Sequence, residues 1–319
     1  ALAGTFPGGV LIDTGIGGAP NIARPSDDFD DVSWLARLQF QVTPDVMAYY
    51  KVNTGFLAGG FNARNVYNPN LFGPPGPGQV PFGTPFDPER LLSHEIGIRS
   101  DLLRRRVRFN ATWFYYDYED IQVSVFAPSP LGGATTEVVN AAEARIWGAE
   151  LELFAQPFDG AELMLLYGYT KPEYRSFRDP VLGDVSNARG FAQTPAHTVV
   201  VGGGYQLPAF TWGTVMGRMD WSWSDEVIFS DTPNAAIDQT KPFWTLNAML
   251  QVADVEVPGG AGMLRTQFWV KNITDEDYKE FGFSLLDAFP PGPGGEGVAV
   301  NTYTDPRTYG VTLVWQWEQ

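Results

Sequence analysis

The chain has 319 residues, room for one large domain or two ordinary ones. Its formal charge of −16 argues against nucleic acid or an anionic membrane surface as a partner. Cysteine is absent, and the 14% aromatic content with 10 Trp, 35 Gly and 25 Pro suits strands joined by long irregular loops rather than a helical protein.

Residues 1–31 read as a loop remnant, Gly/Pro-rich and then acidic (SDDFDD). The opening ALAGTFPGG lacks the basic start and apolar core of a signal peptide, so the chain reads as if cut from something longer. No apolar run reaches the roughly 18 residues of a membrane helix, but barrel strands need only about 9–11 residues of alternating polarity.

The alternation begins at 32–42, where Trp34, Ala36, Leu38 and Phe40 oppose Ser33, Arg37, Gln39 and Gln41. A turn at Thr43-Pro44-Asp45 leads to a second strand at 46–58, then a long loop to 92. In the next pair, Glu95, Gly97, Arg99 and Asp101 alternate with Ile96 and Ile98. After a short turn, Arg106, Arg108, Asn110 and Thr112 alternate with Val107, Phe109, Ala111, Trp113 and Tyr115, in a hairpin that spans Glu95 to Val125. Further strands are expected at 143–156, 161–171, 197–206, 214–224, 242–252, 263–272 and 307–317.

That makes about eleven strands whose connections are long and short in strict turn, the pattern of an antiparallel up-and-down transmembrane β-barrel in an outer membrane. Backbone groups cannot go unpaired in lipid, so such a sheet must close on itself. With the C-terminus in the periplasm, Leu102–Arg105 and Pro157–Gly160 are periplasmic turns, and 59–92, 172–196 and 273–305 are extracellular. Trp34, Tyr115, Trp147, Trp223 and Trp317 would then sit in the aromatic girdles. Period-2 alternation by itself also allows a soluble β-sandwich or propeller, including an aromatic-rich carbohydrate-binding protein.

Several segments resemble TonB-dependent outer-membrane receptors, in the iron-complex or siderophore branch. They are Thr54-Gly55-Phe56 with Gly59-Gly60-Phe61-Asn62; Glu95-Ile96-Gly97 with Ser100-Asp101; and Phe114-Tyr115-Tyr116-Asp117-Tyr118 with Asp120-Ile121-Gln122. Asn140-Ala141 with Gly148-Ala149-Glu150-Leu151-Glu152, Lys271-Asn272-Ile273-Thr274-Asp275 with Tyr278, and Asp305-Pro306-Arg307-Thr308-Tyr309-Gly310 complete the series. The resemblance covers about 32–317 and implies a 22-stranded barrel, of which residues 32–319 would form the C-terminal part. The family's plug domain and TonB-contacting segment have no counterpart in these residues. By the same resemblance the partners are outer-membrane lipid, the plug, the N-terminal barrel half and a TonB-type energy-transducing protein. The location is the outer membrane of a Gram-negative bacterium, and the cargo is a ferric siderophore rather than a bound cofactor.

Catalysis has little support. His94 and His197 are the only histidines, and neither has a second ligand at metal spacing. Asp275-Glu276-Asp277 lacks the alternating ligands and Gly of a calcium loop, and reads as an Asx-type turn. Glu95, Arg99, Arg108, Glu150, Glu152, Arg218 and Asp220 share the polar strand faces and would line a wet or plug-filled lumen. Pairing among themselves is the simpler alternative. In the loops, Asn62, Arg64, Tyr67, Arg175, Arg178 and Arg189 would suit an anionic chelate, since guanidinium forks match carboxylate-like oxygens. Solvated pairing with Asp179 or Asp184 competes with that reading. Two functions are therefore expected to compete: active import of a chelated nutrient, and a passive polar-lumen pore or structural barrel subunit with no plug.

Overall fold

A computed structural model describes residues 5–6, 9–12, 21–23, 27–62, 84–128, 134–179, 183–231, 239–260, 262–284 and 299–317. Eleven strands form one antiparallel meander in which every strand pairs with its sequence neighbours. They are β1 (Leu35–Thr43), β2 (Val46–Leu57), β3 (Glu89–Leu102), β4 (Val107–Pro128), β5 (Ala134–Ala155) and β6 (Ala161–Asp179). They continue as β7 (His197–Gln206), β8 (Thr214–Ser224), β9 (Phe243–Glu256), β10 (Met263–Lys271) and β11 (Thr308–Gln316). Among the described residues β1 and β11 each pair on one side only, so the sheet is an open stretch of barrel wall.

Register keeps the two chemistries apart. One rung runs Leu38, Tyr50, Ile96, Trp113, Ala149, Tyr169 and His197 from β1 to β7. The neighbouring rung on the opposite face runs Gln39, Tyr49, Gly97, Thr112, Glu150 and Gly168. A slip of one residue would exchange the faces wholesale, so the pattern fixes the pairing. Ile96, Trp113, Leu165, Met219, Leu250 and Phe268 are all exposed on the apolar face, although a water-soluble globule would bury them together. Arg37, Arg99, Arg108 and Arg218 lie on the other side.

The short connections are Pro44-Asp45, Leu103–Arg106, Gln156–Gly160, 207–213 and 257–262. In the β3–β4 turn Leu103, Arg104 and Arg105 hold φ between 52° and 66°, an unusual run of left-handed residues that lets the strands reverse tightly.

At the other end of the barrel the strands outrun the expected bounds. β5 begins at Ala134 rather than 143 and β6 ends at Asp179 rather than 171, so part of the expected 172–196 loop is strand, while β4 ends at Pro128, three residues past the expected Val125. The 1–31 stretch, read as loop, carries a small antiparallel meander of Thr5–Phe6, Gly9–Ile12 and Asn21–Ala23.

Candidate functional site

The inner face carries a ladder of satisfied charges. Lys51 of β2 and Glu95 of β3 are register partners and form an ion pair. The Tyr49 hydroxyl donates to Glu95 Oε1 at 2.5 Å and lies 3.2 Å from Thr112 Oγ1. The Tyr49 ring is clasped between Arg37 and Arg99, whose guanidinium carbons lie 5.0 and 5.8 Å from its centroid. It fits there because its cross-strand partner is Gly97, where a Cβ would stand 2.8 Å from the ring.

Toward the short-turn end Arg99 reaches Glu152 at 3.5 Å, while Asn110 donates to the same carboxylate at 2.8 Å. Arg108 pairs with Asp101 at 2.9 Å, and Arg218 forks onto Asp220 at 2.7 and 3.1 Å. Glu150 occupies the same face opposite Thr112 and Gly168. All seven expected lumen residues therefore share one face, and six of them have named ionic partners. Tyr49, Lys51, Asn110 and Thr112 belong to the same array. Strand parity alone would have found them, since each is on the polar side of its own strand.

The long-loop end is knitted by side-chain amides. Asn62, buried, donates from Nδ2 to the Val138 carbonyl at 2.8 Å, and its Oδ1 accepts the Val138 N–H at 2.7 Å. Asn140 does the same for Asp87, accepting its N–H at 2.6 Å and donating to its carbonyl at 2.8 Å. Gln122 donates to the Ala58 and Asp87 carbonyls at 2.9 and 3.2 Å. Further along, Asn272 donates to the Glu276 carbonyl and accepts the Glu276 N–H, both at 2.8 Å, bracing the Ile273-Thr274 turn that leads into Asp275–Asp277.

The loop cations have distinct surroundings. Arg189, half-buried over the Phe177 ring, bridges Asp179 at 3.2 Å and Asp231 at 3.3 Å, and so ties the β6–β7 connection to the β8–β9 connection. Gly190 N–H to Asp231 O and Gln193 N–H to Ile228 O reinforce that seam, and Tyr174 stacks on Phe191 beside it. Arg175 pairs with Asp117 at 3.2 Å. Arg178, exposed, sits opposite Asp184 in a two-residue ladder. Arg64 and Tyr67 lie outside the described residues. The Asp184 carboxylate accepts backbone bonds from Ser186 and Phe177, the Ser186 bond foremost in holding its pKa below the ordinary carboxylate value.

His94 and His197 are on the apolar face. Each accepts or donates one hydrogen bond through Nδ1, to Tyr50 Oη at 2.7 Å and Tyr167 Oη at 2.9 Å, with the paired rings stacked. Among the described residues no group of three or more His, Cys, Asp or Glu side chains is placed to hold a metal.

A sheet with one unburied greasy face, one face of paired charges, and alternating short and long connections defines the wall of an outer-membrane β-barrel. The family model described as TonB dependent receptor-like, beta-barrel matches residues 8–273, and the chain belongs to that family of receptors and transporters, not to an enzyme family. Solved structures agree on the fold. The ferric yersiniabactin uptake receptor FyuA from Yersinia pestis superposes with a TM-score of 0.66 at 18% identity, over 92% of this chain and 38% of that one. The siderophore receptor PiuA from Acinetobacter baumannii gives 0.62 at 18% identity, over 96% of this chain and 38% of its own. The copper transporter OprC gives 0.57 at 17% identity, over 88% and 38%. The chain thus spans under two fifths of the length of these structures.

Proposed function

We propose that this chain is part of the wall and mouth of an importer that takes up a scarce chelated nutrient, a ferric siderophore, across the outer membrane. On this reading an inner-membrane complex energises transport through a TonB-type protein acting on a plug. The observation that carries the proposal is the continuous inner face of paired charges, from Lys51–Glu95 to Arg218–Asp220. Such a surface suits water or a polar plug, and a large chelate would pass along it. FyuA, a ferric yersiniabactin uptake receptor, and PiuA, a siderophore receptor, share this fold, as does the copper transporter OprC, so the identity of the metal chelate is what the uptake test decides.

Of the loop cations assigned to an anionic chelate, Arg189 positions the loops, while Arg64 and exposed Arg178 make the contact. The test offers labelled ferric chelates one at a time to an iron-limited deletion strain with and without the restored gene. Uptake of one chelate should return with the gene and stop when an uncoupler collapses the proton-motive force. Uptake that survives the uncoupler identifies a passive pore; normal uptake of every chelate in the deletion strain removes the iron assignment.

A further inference from the structure

A wide groove lies on the apolar outer face of the sheet. Two adjacent rungs form it across β6–β10: Leu163, Gly203, Met219, Ala248 and Val270 on one, and Ala161, Tyr205, Gly217, Leu250 and Phe268 on the next. Neither rung carries a charged side chain. The small residues are staggered, so large neighbours stand as walls around a floor at Gly203 and Gly217. The groove holds about 890 Å³, within the roughly 300–1,000 Å³ of sites that bind small molecules.

Within the chain, packing explains only part of this. A Cβ at Gly203 would meet Leu163 at 3.3 Å, a flexible contact, and one at Gly217 would meet nothing within 4 Å. Glycine in a strand weakens it unless something approaches the backbone closely. Phe158 of the β5–β6 turn and Tyr205 close the groove at the short-turn end, edge to face at 5.8 Å. Gly203 stands three residues above the end of β7, roughly 8 Å above the periplasmic rim at ordinary strand rise and tilt.

We infer that this groove is a binding site for one acyl chain of a phospholipid in the periplasmic leaflet. The inference rests on the membrane reading of the proposed function. The occupant follows from chemistry and place: the groove is continuous with the face turned to hydrocarbon, lies at acyl depth, and carries on its two outer rungs no charged side chain and a single hydroxyl, that of Tyr205 at the short-turn rim. Gly217→Leu fills it from an open position without disturbing a packed neighbour.

The test is native mass spectrometry of the intact protein, extracted from outer membranes in a mild detergent and challenged with phosphatidylethanolamine carrying two long acyl chains. The unaltered protein should keep one phospholipid through detergent exchange. Gly217→Leu should keep it about tenfold less, the effect of losing roughly two buried methylene groups, with unchanged membrane fractionation and unfolding midpoint. Gly217→Ala, which adds a single methyl, should lie between them. Equal retention in all three, with each protein still in the membrane, overturns the lipid site and leaves the membrane reading intact. A protein in the soluble fraction overturns both. A dimer lost on Gly217→Leu makes the groove a contact between copies and overturns the lipid assignment.

Discussion

Asn62 holds the Val138 backbone in both directions, as donor to its carbonyl and acceptor from its N–H, across 76 positions of sequence. Both polar atoms of that amide are thereby engaged in fastening the segment after β2 to the upper part of β5. Asn62→Ala should leave the Val138 groups short of partners in a buried place, at about 1–3 kcal/mol. Hydrogen exchange should accelerate through 58–62 and 137–140. Loss of chelate affinity with exchange unchanged would instead make Asn62 a ligand contact.

Arg189 is the equivalent fastening between the β6–β7 and β8–β9 connections. Removing it breaks both ion pairs and uncovers Phe177, which is fully buried. Arg189→Ala should cost about 1–3 kcal/mol, below the range for a fully buried pair because both carboxylates keep some contact with water. Arg189→Lys keeps the charge but cannot bridge two carboxylates with a planar fork, and should recover only part of the loss. Thermal unfolding with exchange at 183–193 and 228–231 reads the effect.

The barrel part of this fold was legible because its two faces carry different chemistry, one apolar and one charged. β7 and β8 fall on 197–206 and 214–224 as the alternation alone places them. The lumen set emerged by the same parity. Legibility failed where both faces are wet. Above Trp147 and Tyr169 the outer positions become Arg145 and Glu173, the contrast vanishes, and the start of β5 and the end of β6 run on unseen. The loop cations were visible as types but not as roles. Arg189 is near Asp179 in sequence, yet Asp231, its second partner, is 42 residues away and carries no local signature.

Asp184 gives the loops a pH dependence whose sign is fixed by its bonds. The carboxylate accepts the Ser186 N–H at 3.0 Å and the Phe177 N–H at 3.5 Å, and the first of these leads in lowering its pKa below 3.8. A depressed carboxylate stabilises the folded turn fully above its unfolded value and loses that contribution as pH falls through the lower folded value. Asp184→Asn should therefore have a lower unfolding midpoint than the unaltered protein at pH 6. The gap should close as the pH is brought below 3.8. A gap that stays constant across that range would mean the carboxylate charge plays no part.

The sharpest test of the two-faced wall compares neighbours on β6. Leu165 points to the apolar side, register partner of Val201 and Leu153, while Met164 points to the polar side opposite Gly202. In a bilayer, Leu165→Arg places a guanidinium in hydrocarbon and should cost about 2–4 kcal/mol, because no water reaches the charge at mid-depth. Met164→Arg adds the same group to a face already carrying Asp220 beside Gly202, and should cost far less. Urea unfolding in lipid vesicles measures both. Equal penalties for the two would mean the faces do not see different media; a larger penalty for Met164→Arg would turn the wall inside out.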